Sequence, residues 1–284
     1  MALIIDCHVH MSNQLDPVWR KSQVPFTAER VLKSMDGPYL LGGRLVKIDV
    51  GVTQPAIGST IYQAGGRSVH AKLHEYIVES VKRFPTRLLG CMTLNPRIGV
   101  DEGVEELRRL VQEEGFRAVK LHSNMHLYRP DLSPDFMNPV VEASLDLKIP
   151  VFVHTGDPPY SIPSQFLSTA EAYPDAKFVF FHFGIQYSGF PYEAMHIARK
   201  TPNVYLEISW APLPRIREAI RMIGADRLIY GTDCPAMEEG VPIRQIDALC
   251  GEPPIGMNLP SEDRDKILGG NIATLLRLDP AKYA

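Results

Sequence analysis

The sequence predicts a single α/β domain over residues 1–284, folded as a (β/α)8 barrel of the TIM type. The length of 284 residues suits one such barrel. Short apolar runs alternate with amphipathic helical stretches along most of the chain, which is typical of parallel βαβ units. About eight apolar runs occur, and this number favours a closed barrel over an open doubly wound sheet.

The predicted strands are short and largely apolar, as expected of parallel strands buried on both faces. They are centred near residues 3, 46, 89, 118, 151, 179, 205 and 229. No glycine-rich GxGxxG or GxxxxGKS loop follows any of them, so dinucleotide and P-loop nucleotide binding lack their signature.

The predicted helices place apolar residues at helical spacing between these strands. Thr27 suits the N-cap of the first helix, and Gly115 suits the end of a later one. The predicted helices cover residues 27–35, 68–84, 100–114, 133–147, 164–173, 192–200, 213–223, 261–268 and 271–276.

Residues 16–66 interrupt this regular pattern with an excursion rich in proline and glycine. The helix over residues 27–35 and a strand over residues 44–52 are expected within it, and the remainder reads as a long loop. Long loops in compact domains are often functional. A lid over the site and an insertion that packs against a partner, such as a second subunit of a homodimer, stay open as alternatives.

Composition excludes several classes of function. The net charge is −3, so the sequence carries no basic footprint for nucleic acid. No apolar run approaches the roughly 20 residues of a membrane helix, and no basic leader opens the chain. We therefore expect neither membrane insertion nor a signal peptide. The four cysteines form no CxxC pair, which is typical of a reduced, cytoplasmic protein.

Two histidines close the first apolar run. Residues i and i+2 of an extended strand point to the same face, so His8 and His10 are expected to direct their imidazoles at one point. Such a pair is half of a metal site. The alternative is two polar residues that only end a strand, and the remaining strand ends decide between the two interpretations.

Polar residues also follow four later strands. Lys120 and His122 end the fourth strand, His154 the fifth, His182 the sixth and Asp233 the eighth. The carboxyl ends of barrel strands share one rim, where active sites are built. Imidazole and carboxylate are ligands that zinc accepts, so these residues predict a metal centre on that rim.

Several sequence motifs resemble those of the amidohydrolase superfamily. The closer resemblance is to its amidohydrolase-related branch, which includes aminocarboxymuconate-semialdehyde decarboxylase and several lactone hydrolases. The motifs occur in family order along essentially the whole chain. They are Asp6-Cys7-His8-Val9-His10, Val119-Lys120-Leu121-His122, Phe152-Val153-His154-Thr155-Gly156, Phe180-Phe181-His182-Phe183-Gly184, Tyr230-Gly231-Thr232-Asp233-Cys234-Pro235 and Gly269-Gly270-Asn271-Ile272-Ala273.

The resemblance implies a distorted barrel that binds one divalent metal ion, Zn²⁺ or alternatively Mn²⁺. The implied ligands are His8, His10, His154 and Asp233, with His182 as a further ligand or beside the metal-bound water. Binuclear members of the superfamily carry a carboxylated lysine on the fourth strand, and Lys120 lies in that region. A substrate-facing or structural role for this lysine is the favoured interpretation.

Hydrolysis is the expected reaction. A metal-activated water would attack an ester, lactone or amide carbonyl of a small substrate. Asp233 would accept the water proton, and His182 would stabilise the oxyanion. The expected substrate contacts are Lys120, His122, Arg129 and Tyr160, and their cationic members indicate an anionic substrate.

Non-oxidative decarboxylation is the main alternative, because the same ligand set serves both reactions within the branch. Hydrolysis is favoured since the chain is short for the branch, as its hydrolases often are. A non-catalytic metal-binding scaffold is an alternative of another class.

Overall fold

The computed structural model describes residues 3–14, 24–56, 67–185 and 189–283, with the backbone alone at 67 and 68. Eight parallel strands form one sheet in the order β1-β4-β5-β6-β7-β8-β9-β10, and β2 and β3 form a separate antiparallel hairpin. The strands are β1 (Ile5–Met11), β2 (Tyr39–Leu41), β3 (Arg44–Val46), β4 (Val50–Pro55), β5 (Leu88–Leu94), β6 (Ala118–Leu121), β7 (Val151–His154), β8 (Phe178–Phe181), β9 (Val204–Glu207) and β10 (Leu228–Ile229).

The sheet closes on itself between β10 and β1. The amide of Cys7 donates to the carbonyl of Tyr230 at 3.2 Å, and the amide of His10 donates to the carbonyl of Cys234 at 2.8 Å. An isolated parallel bridge also joins Val9 to Cys234. Because β10 has only two residues, this closure extends beyond the strand into the segment that carries Asp233. The predicted (β/α)8 barrel is confirmed.

Helices surround the barrel, and most agree with the predicted ranges to within a few residues. A π-helical turn at Lys266–Gly270 joins the last two of them. The helices are α1 (Ala28–Met35), α2 (Arg67–Arg83), α3 (Val100–Glu113), α4 (Pro134–Leu147), α5 (Leu167–Ala172), α6 (Pro191–Lys200), α7 (Leu213–Ile223), α8 (Gly240–Cys250), α9 (Ser261–Asp265) and α10 (Asn271–Leu275).

Two apolar layers hold the barrel and its helices together. The inner layer fills the barrel with one side chain in two from each strand, including Val50, Cys91, Phe152 and Val179, and Ile272 of α10 packs against it. The outer layer joins the opposite faces of the strands to the helices. Burial of apolar surface contributes about 25 cal/mol per Å² to the free energy of folding. These two layers therefore stabilise the barrel and hold the strand ends in place.

The structure corrects two of the predicted strands. The second barrel strand is β4, not the stretch around residue 46, which belongs to the small β2–β3 hairpin. The first strand runs to Met11, so His8 and His10 lie within it rather than after it. Both errors arise because a short apolar run fixes neither where pairing starts nor where it ends.

The excursion at 16–66 is not one long loop in its described part. Residues 24–56 contain α1, the hairpin and the barrel strand β4. Residues 15–23 and 57–66 lie outside the described residues, so the predicted lid or partner insertion is not tested. The sequence analysis also missed α8, which follows the segment after β10. Among the described residues, no helix is both long and apolar enough to cross a membrane.

Candidate metal centre at the strand ends

An irregularity in β1 decides where its histidines point. Asp6 pairs with Gly51 of β4, but the next pair is Val9 with Thr53, so β1 holds one extra residue there. Cys7 belongs to the inner apolar layer, whereas Val9 belongs to the outer one. The extra residue thus switches the alternation at His8, as a β-bulge does, and turns both His8 and His10 into the barrel.

Three ligand atoms converge at this point. The Nε2 atoms of His8 and His10 lie 3.2 Å apart, and each lies 3.2 Å from Oδ1 of Asp233. Three ligands held by one ion at about 2.0–2.2 Å are about 3.0–3.5 Å from one another. Asp233 Oδ1 is buried and accepts no hydrogen bond from the described residues. This metal triad, His8, His10 and Asp233, therefore fits a divalent cation.

Hydrogen bonds behind the triad orient its ligand atoms, and the side-chain amide nitrogen of Gln54 also lies 3.3 Å from Nε2 of His10. Nδ1 of His10 lies 3.0 Å from the carbonyl oxygen of Pro55, which can only accept a hydrogen bond. His10 therefore carries its proton on Nδ1 and a lone pair on Nε2. The indole Nε1 of Trp210 donates to Oδ2 of Asp233 at 3.0 Å, which stabilises the carboxylate and leaves Oδ1 to face the histidines.

A second carboxylate, Glu207 at the end of β9, lies behind the triad. Its Oε2 is 3.5 Å from Nδ1 of His8 and accepts hydrogen bonds from the His182 amide at 3.0 Å and the Ser209 hydroxyl at 2.7 Å. Its Oε1 accepts from the Ser209 amide at 2.5 Å. Burial raises the pKa of Glu207 to about 7, while these hydrogen bonds oppose the rise.

Lys120 extends from β6 into the same interior. The side chain is 3% exposed, and its Nζ donates no hydrogen bond to any described residue. The Nζ atom lies over the ring of Phe181, 3.6 Å from its centroid. Burial lowers the pKa of Lys120 to about 8, and the charges of Asp233 and Glu207 limit the fall.

The remaining predicted ligands, His154 and His182, lie beside the metal triad. The two rings are 4.7 Å apart, and the His182 ring is 4.9 Å from that of His8. Nε2 of His154 lies 2.7 Å from Oδ2 of Asp157. In this arrangement His154 is paired with Asp157 and does not join the metal triad, so its role as a ligand stays a prediction.

The predicted substrate contacts divide into an inner and an outer pair. Lys120 and His122 are buried, and the ring of His122 stacks on that of His154 at 3.6 Å. Arg129 is about half exposed and donates to its neighbour Asp131 at 2.6 Å. No side-chain contact among the described residues brings Arg129 or Tyr160 to the metal triad.

Backbone strain is concentrated at these strand ends. His182, Trp210 and Asp233 all have left-handed backbone conformations, with φ of +66°, +62° and +60°. Each such non-glycine residue costs of the order of 1–3 kcal/mol, and strain of this kind collects at functional sites. The fold tolerates the strain because hydrogen bonds and the barrel closure hold these three residues in place.

Glu207, Ser209 and Trp210 were not among the residues predicted for the site. The signal was present, because Glu207-Ile208-Ser209-Trp210 directly ends an apolar strand, as His154 and His182 do. This pattern alone does not distinguish a site, because glutamate and serine after a strand are also ordinary loop residues.

A parallel barrel with two histidines from β1 and an aspartate after β10 defines a class of metal-dependent barrel enzymes. The sequence comparison agrees, since residues 5–278 match the Amidohydro_2 family, described as amidohydrolase. The chain belongs to this amidohydrolase family, and the resemblance expected from the motifs is confirmed.

One known relative of this chain is a decarboxylase. The chain is 25% identical over 253 residues to 2-amino-3-carboxymuconate-6-semialdehyde decarboxylase of Dictyostelium discoideum, and the matched region covers 74% of this chain and 67% of the relative.

Similar solved structures include 2,6-dihydroxybenzoate decarboxylase from Rhizobium, at 18% identity and a TM-score of 0.74, covering 98% of this chain and 99% of that chain. Another is 5-carboxyvanillate decarboxylase from Novosphingobium aromaticivorans, complexed with manganese, at 16% identity and a TM-score of 0.74, covering 98% and 96%. At these identities the two structures support the fold.

Proposed function

We propose that the protein is a metal-dependent, non-oxidative decarboxylase of a small aromatic or unsaturated carboxylic acid. The observation that carries the proposal is the buried, unpartnered ammonium group of Lys120 on the rim that holds the metal triad. The decarboxylase relative of 25% identity supports the reaction class. The predicted hydrolysis is not confirmed, because it rested on chain length and the relatives named above are decarboxylases.

Lys120 is the group that selects an acid. A buried charge without a hydrogen bond is costly. Among the described residues the Nζ atom of Lys120 makes none, and it lies 3.6 Å from the centroid of the Phe181 ring. A substrate carboxylate would satisfy this ammonium group by a charge-assisted hydrogen bond. Since its pKa remains near 8 despite burial, Lys120 is largely cationic at neutral pH. The ammonium form is also what distinguishes this role from a carboxylated, metal-bridging lysine.

The metal triad would bind the substrate next to Lys120. A divalent ion held by His8, His10 and Asp233 would supply Lewis-acid polarisation of substrate oxygen atoms. Zn²⁺ suits two imidazoles and a carboxylate, and Mn²⁺ is the ion bound in the carboxyvanillate enzyme. We keep both as candidates, because the triad offers ligand types that either ion accepts.

His182 is the proposed proton carrier. Its Nδ1 is 2.9 Å from the Ser209 hydroxyl, so Nε2 is the nitrogen that can exchange a proton with substrate. Once Nε2 has accepted a proton from solvent, His182 would donate that proton to the carbon that bears the carboxylate and return to its neutral form. A C–H bond forms, the bond to the carboxylate carbon breaks, and its electron pair returns to the substrate as carbon dioxide leaves.

A substrate panel tests the reaction. Hydroxylated benzoic acids, muconate-type acids and lactones are offered to the Zn²⁺-loaded and Mn²⁺-loaded protein, with carbon dioxide and the organic product both quantified. We expect carbon dioxide release from an acid and no turnover of lactones. Lactone hydrolysis without carbon dioxide release from any acid would overturn the proposal and restore the hydrolase interpretation.

The role of Lys120 is tested in the same assay. We expect Lys120→Met to raise KM for the acid about ten- to a hundredfold, since a hydrogen bond to a charged group contributes about 1.5–3 kcal/mol. Lys177→Met is the matched control, because Lys177 is exposed just before β8. An unchanged KM in Lys120→Met would remove the carboxylate-binding role.

A further inference from the structure

We infer that Glu207 is a positioning residue that fixes the tautomers of two site histidines, His8 directly and His182 through Ser209. Both rings then carry their proton on Nδ1 and present an unprotonated Nε2 to the site. The inference deepens the proposed function and rests on its metal triad. None of the motifs that indicated the family includes Glu207 or Ser209.

The contacts of Glu207 define its charge state. Its oxygens accept from the amides of His182 and Ser209 and from the Ser209 hydroxyl, at 2.5–3.0 Å. The fourth close group, Nδ1 of His8, is also a nitrogen that can donate. The amides of His182 and Ser209 can only donate, one to each carboxylate oxygen, and hydrogen bonds of this kind favour the charged form. The arrangement therefore fits an ionised Glu207.

The direction of the next hydrogen bond follows from this charge. Ser209 has one hydroxyl proton, and it points to Oε2 of Glu207 because the carboxylate can only accept. The same hydroxyl oxygen lies 2.9 Å from Nδ1 of His182 and must therefore accept from it. His182 thus carries its proton on Nδ1, which leaves Nε2 unprotonated and able to accept a proton.

Glu207 acts on His8 directly, without an intervening residue. Its Nδ1 faces Oε2 of Glu207 at 3.5 Å, while its Nε2 faces His10 and Asp233 at 3.2 Å. A carboxylate behind a metal-binding histidine fixes the ring orientation and makes the ligand nitrogen more basic. Nδ1 makes no hydrogen bond to the described residues, so Glu207 acts on the His8 tautomer through the charge of a carboxylate 3.5 Å away.

A second cation between His8, His182 and Glu207 is the competing interpretation, because their ligand atoms lie within 4.8 Å of one another. Three hydrogen bonds already occupy the carboxylate, and Ser209 already occupies Nδ1 of His182. A cation there would have to displace these donors. The hydrogen bonds of Glu207 and His182 are therefore accounted for without a second cation.

Gly231 supplies an independent observation. A Cβ atom on Gly231 would lie 2.7 Å from Oε1 of Glu207 and 2.9 Å from its Cδ and Cγ. The backbone between Tyr230 and Thr232 thus passes directly over the carboxylate and leaves room for it only as glycine. Gly231→Ala is therefore a second way to displace Glu207 without changing its chemistry.

Imidazole tautomers are measured by long-range ¹H–¹⁵N correlation spectra of the full chain, metal-free and Zn²⁺-loaded. The His8 and His182 signals are assigned from their loss in His8→Gln and His182→Gln. We expect Nδ1-protonated rings for both in the wild type. In Glu207→Gln both should gain the Nε2-protonated form, whereas Ser209→Ala should change His182 alone.

Metal affinity gives a second readout. By competition with a chelator, we expect Glu207→Gln to bind Zn²⁺ about ten- to a hundredfold more weakly, the usual effect of removing a carboxylate behind a ligand. Ser209→Ala should have a smaller effect. Glu106→Gln is the matched control, because Glu106 is a buried glutamate on α3 that is paired with Arg109.

Either of two results overturns the inference: Nε2-protonated His8 and His182 in the wild type, or unchanged tautomers in Glu207→Gln. If Glu207→Gln fails to fold, Gly231→Ala must reproduce the change in both rings. The metal-free spectra need neither substrate nor ion, so a failure to find decarboxylation would contradict the proposed function and leave this result to stand or fall alone.

Discussion

At the scale of single residues, the site combines groups that each disfavour folding when taken alone. Lys120 is a buried cation without a hydrogen-bond partner, and Asp233 is a buried carboxylate on a left-handed backbone. Burial lowers the pKa of His8 and of His182 well below the usual value, which keeps both rings neutral and able to bind a metal or accept a proton. These positions therefore lower the stability of the fold while providing the groups that the reaction needs.

Asp233 is predicted to be indispensable for turnover. Asp233→Asn replaces the charged ligand atom by a neutral amide, which removes the attraction for the cation while preserving the shape of the side chain. We expect turnover to fall below detection and the circular dichroism spectrum to stay unchanged. A variant with near-normal rates would remove Asp233 from the metal triad and from proton transfer.

Lys120 should lower the stability of the metal-free protein. Its pKa falls from 10.5 to about 8 on burial, so the unfolded chain binds more protons between these values and stability rises with pH there. Lys120→Met avoids this cost, which is of the order of 3 kcal/mol. We expect the variant to resist denaturant better at pH 7, with the difference shrinking by pH 10.

A Lys120→Met protein less stable than the wild type at pH 7 would contradict the unpartnered cation. Lys177→Met again serves as the control, because its exposed side chain should leave the free energy of unfolding unchanged at both pH values.

At the scale of elements, the contact between β1 and the segment after β10 builds the metal triad. Asp6 is completely buried and accepts hydrogen bonds from the His8 amide at 3.0 Å, the Thr232 amide at 3.1 Å and the Thr232 hydroxyl at 2.5 Å. Asp6 therefore binds together the two chain segments that carry His8 and Asp233. Burial raises the pKa of Asp6. These three donors replace the water molecules that its carboxylate loses on folding.

Removing the Thr232 hydroxyl should weaken that contact. Thr232→Val keeps the shape of the side chain but leaves Asp6 with one donor fewer, and a buried acceptor left unsatisfied costs about 1–3 kcal/mol. We expect a loss of this size in denaturant unfolding of the metal-free protein, together with weaker Zn²⁺ binding. Thr274→Val is the control, because Thr274 is exposed and its hydroxyl donates to the carbonyl of Gly270 in the preceding π-helical turn.

At the scale of the whole molecule, the metal triad joins residues from opposite ends of the chain. His8 and His10 are more than 220 residues from Asp233, so the triad exists only when the barrel is closed. An ion that binds there binds the folded state and not the unfolded chain. Metal binding and barrel closure are therefore thermodynamically linked.

Metal addition should raise the thermal stability of the molecule. At a free ion concentration of a hundred times Kd, one site adds about 2.7 kcal/mol to the free energy of unfolding. We expect Tm to rise with Zn²⁺ or Mn²⁺, to fall on chelation, and elemental analysis to find about one ion per chain. His8→Ala should lose this response, and an equal rise in Tm for His8→Ala would place the ion elsewhere.

Local sequence determined much of this molecule. Strand and helix positions follow from short apolar runs and helical spacing, because each parallel strand is buried on both faces and each helix on one. Polar residues in or just after the apolar strands predicted that His8, His10 and Asp233 would lie together, as they do. This prediction is possible because every strand of a parallel barrel ends on the same side.

Tertiary structure alone decided how these residues act. The extra residue in β1 that turns His8 inward depends on pairing with β4. The carboxylate of Glu207 reaches His8 because barrel closure leaves only β10 between β9 and β1. Among the described residues, the Nζ atom of Lys120 finds no hydrogen-bond partner inside the closed barrel. Spacing along a chain predicts which face a side chain takes, whereas its partners are set by long-range closure.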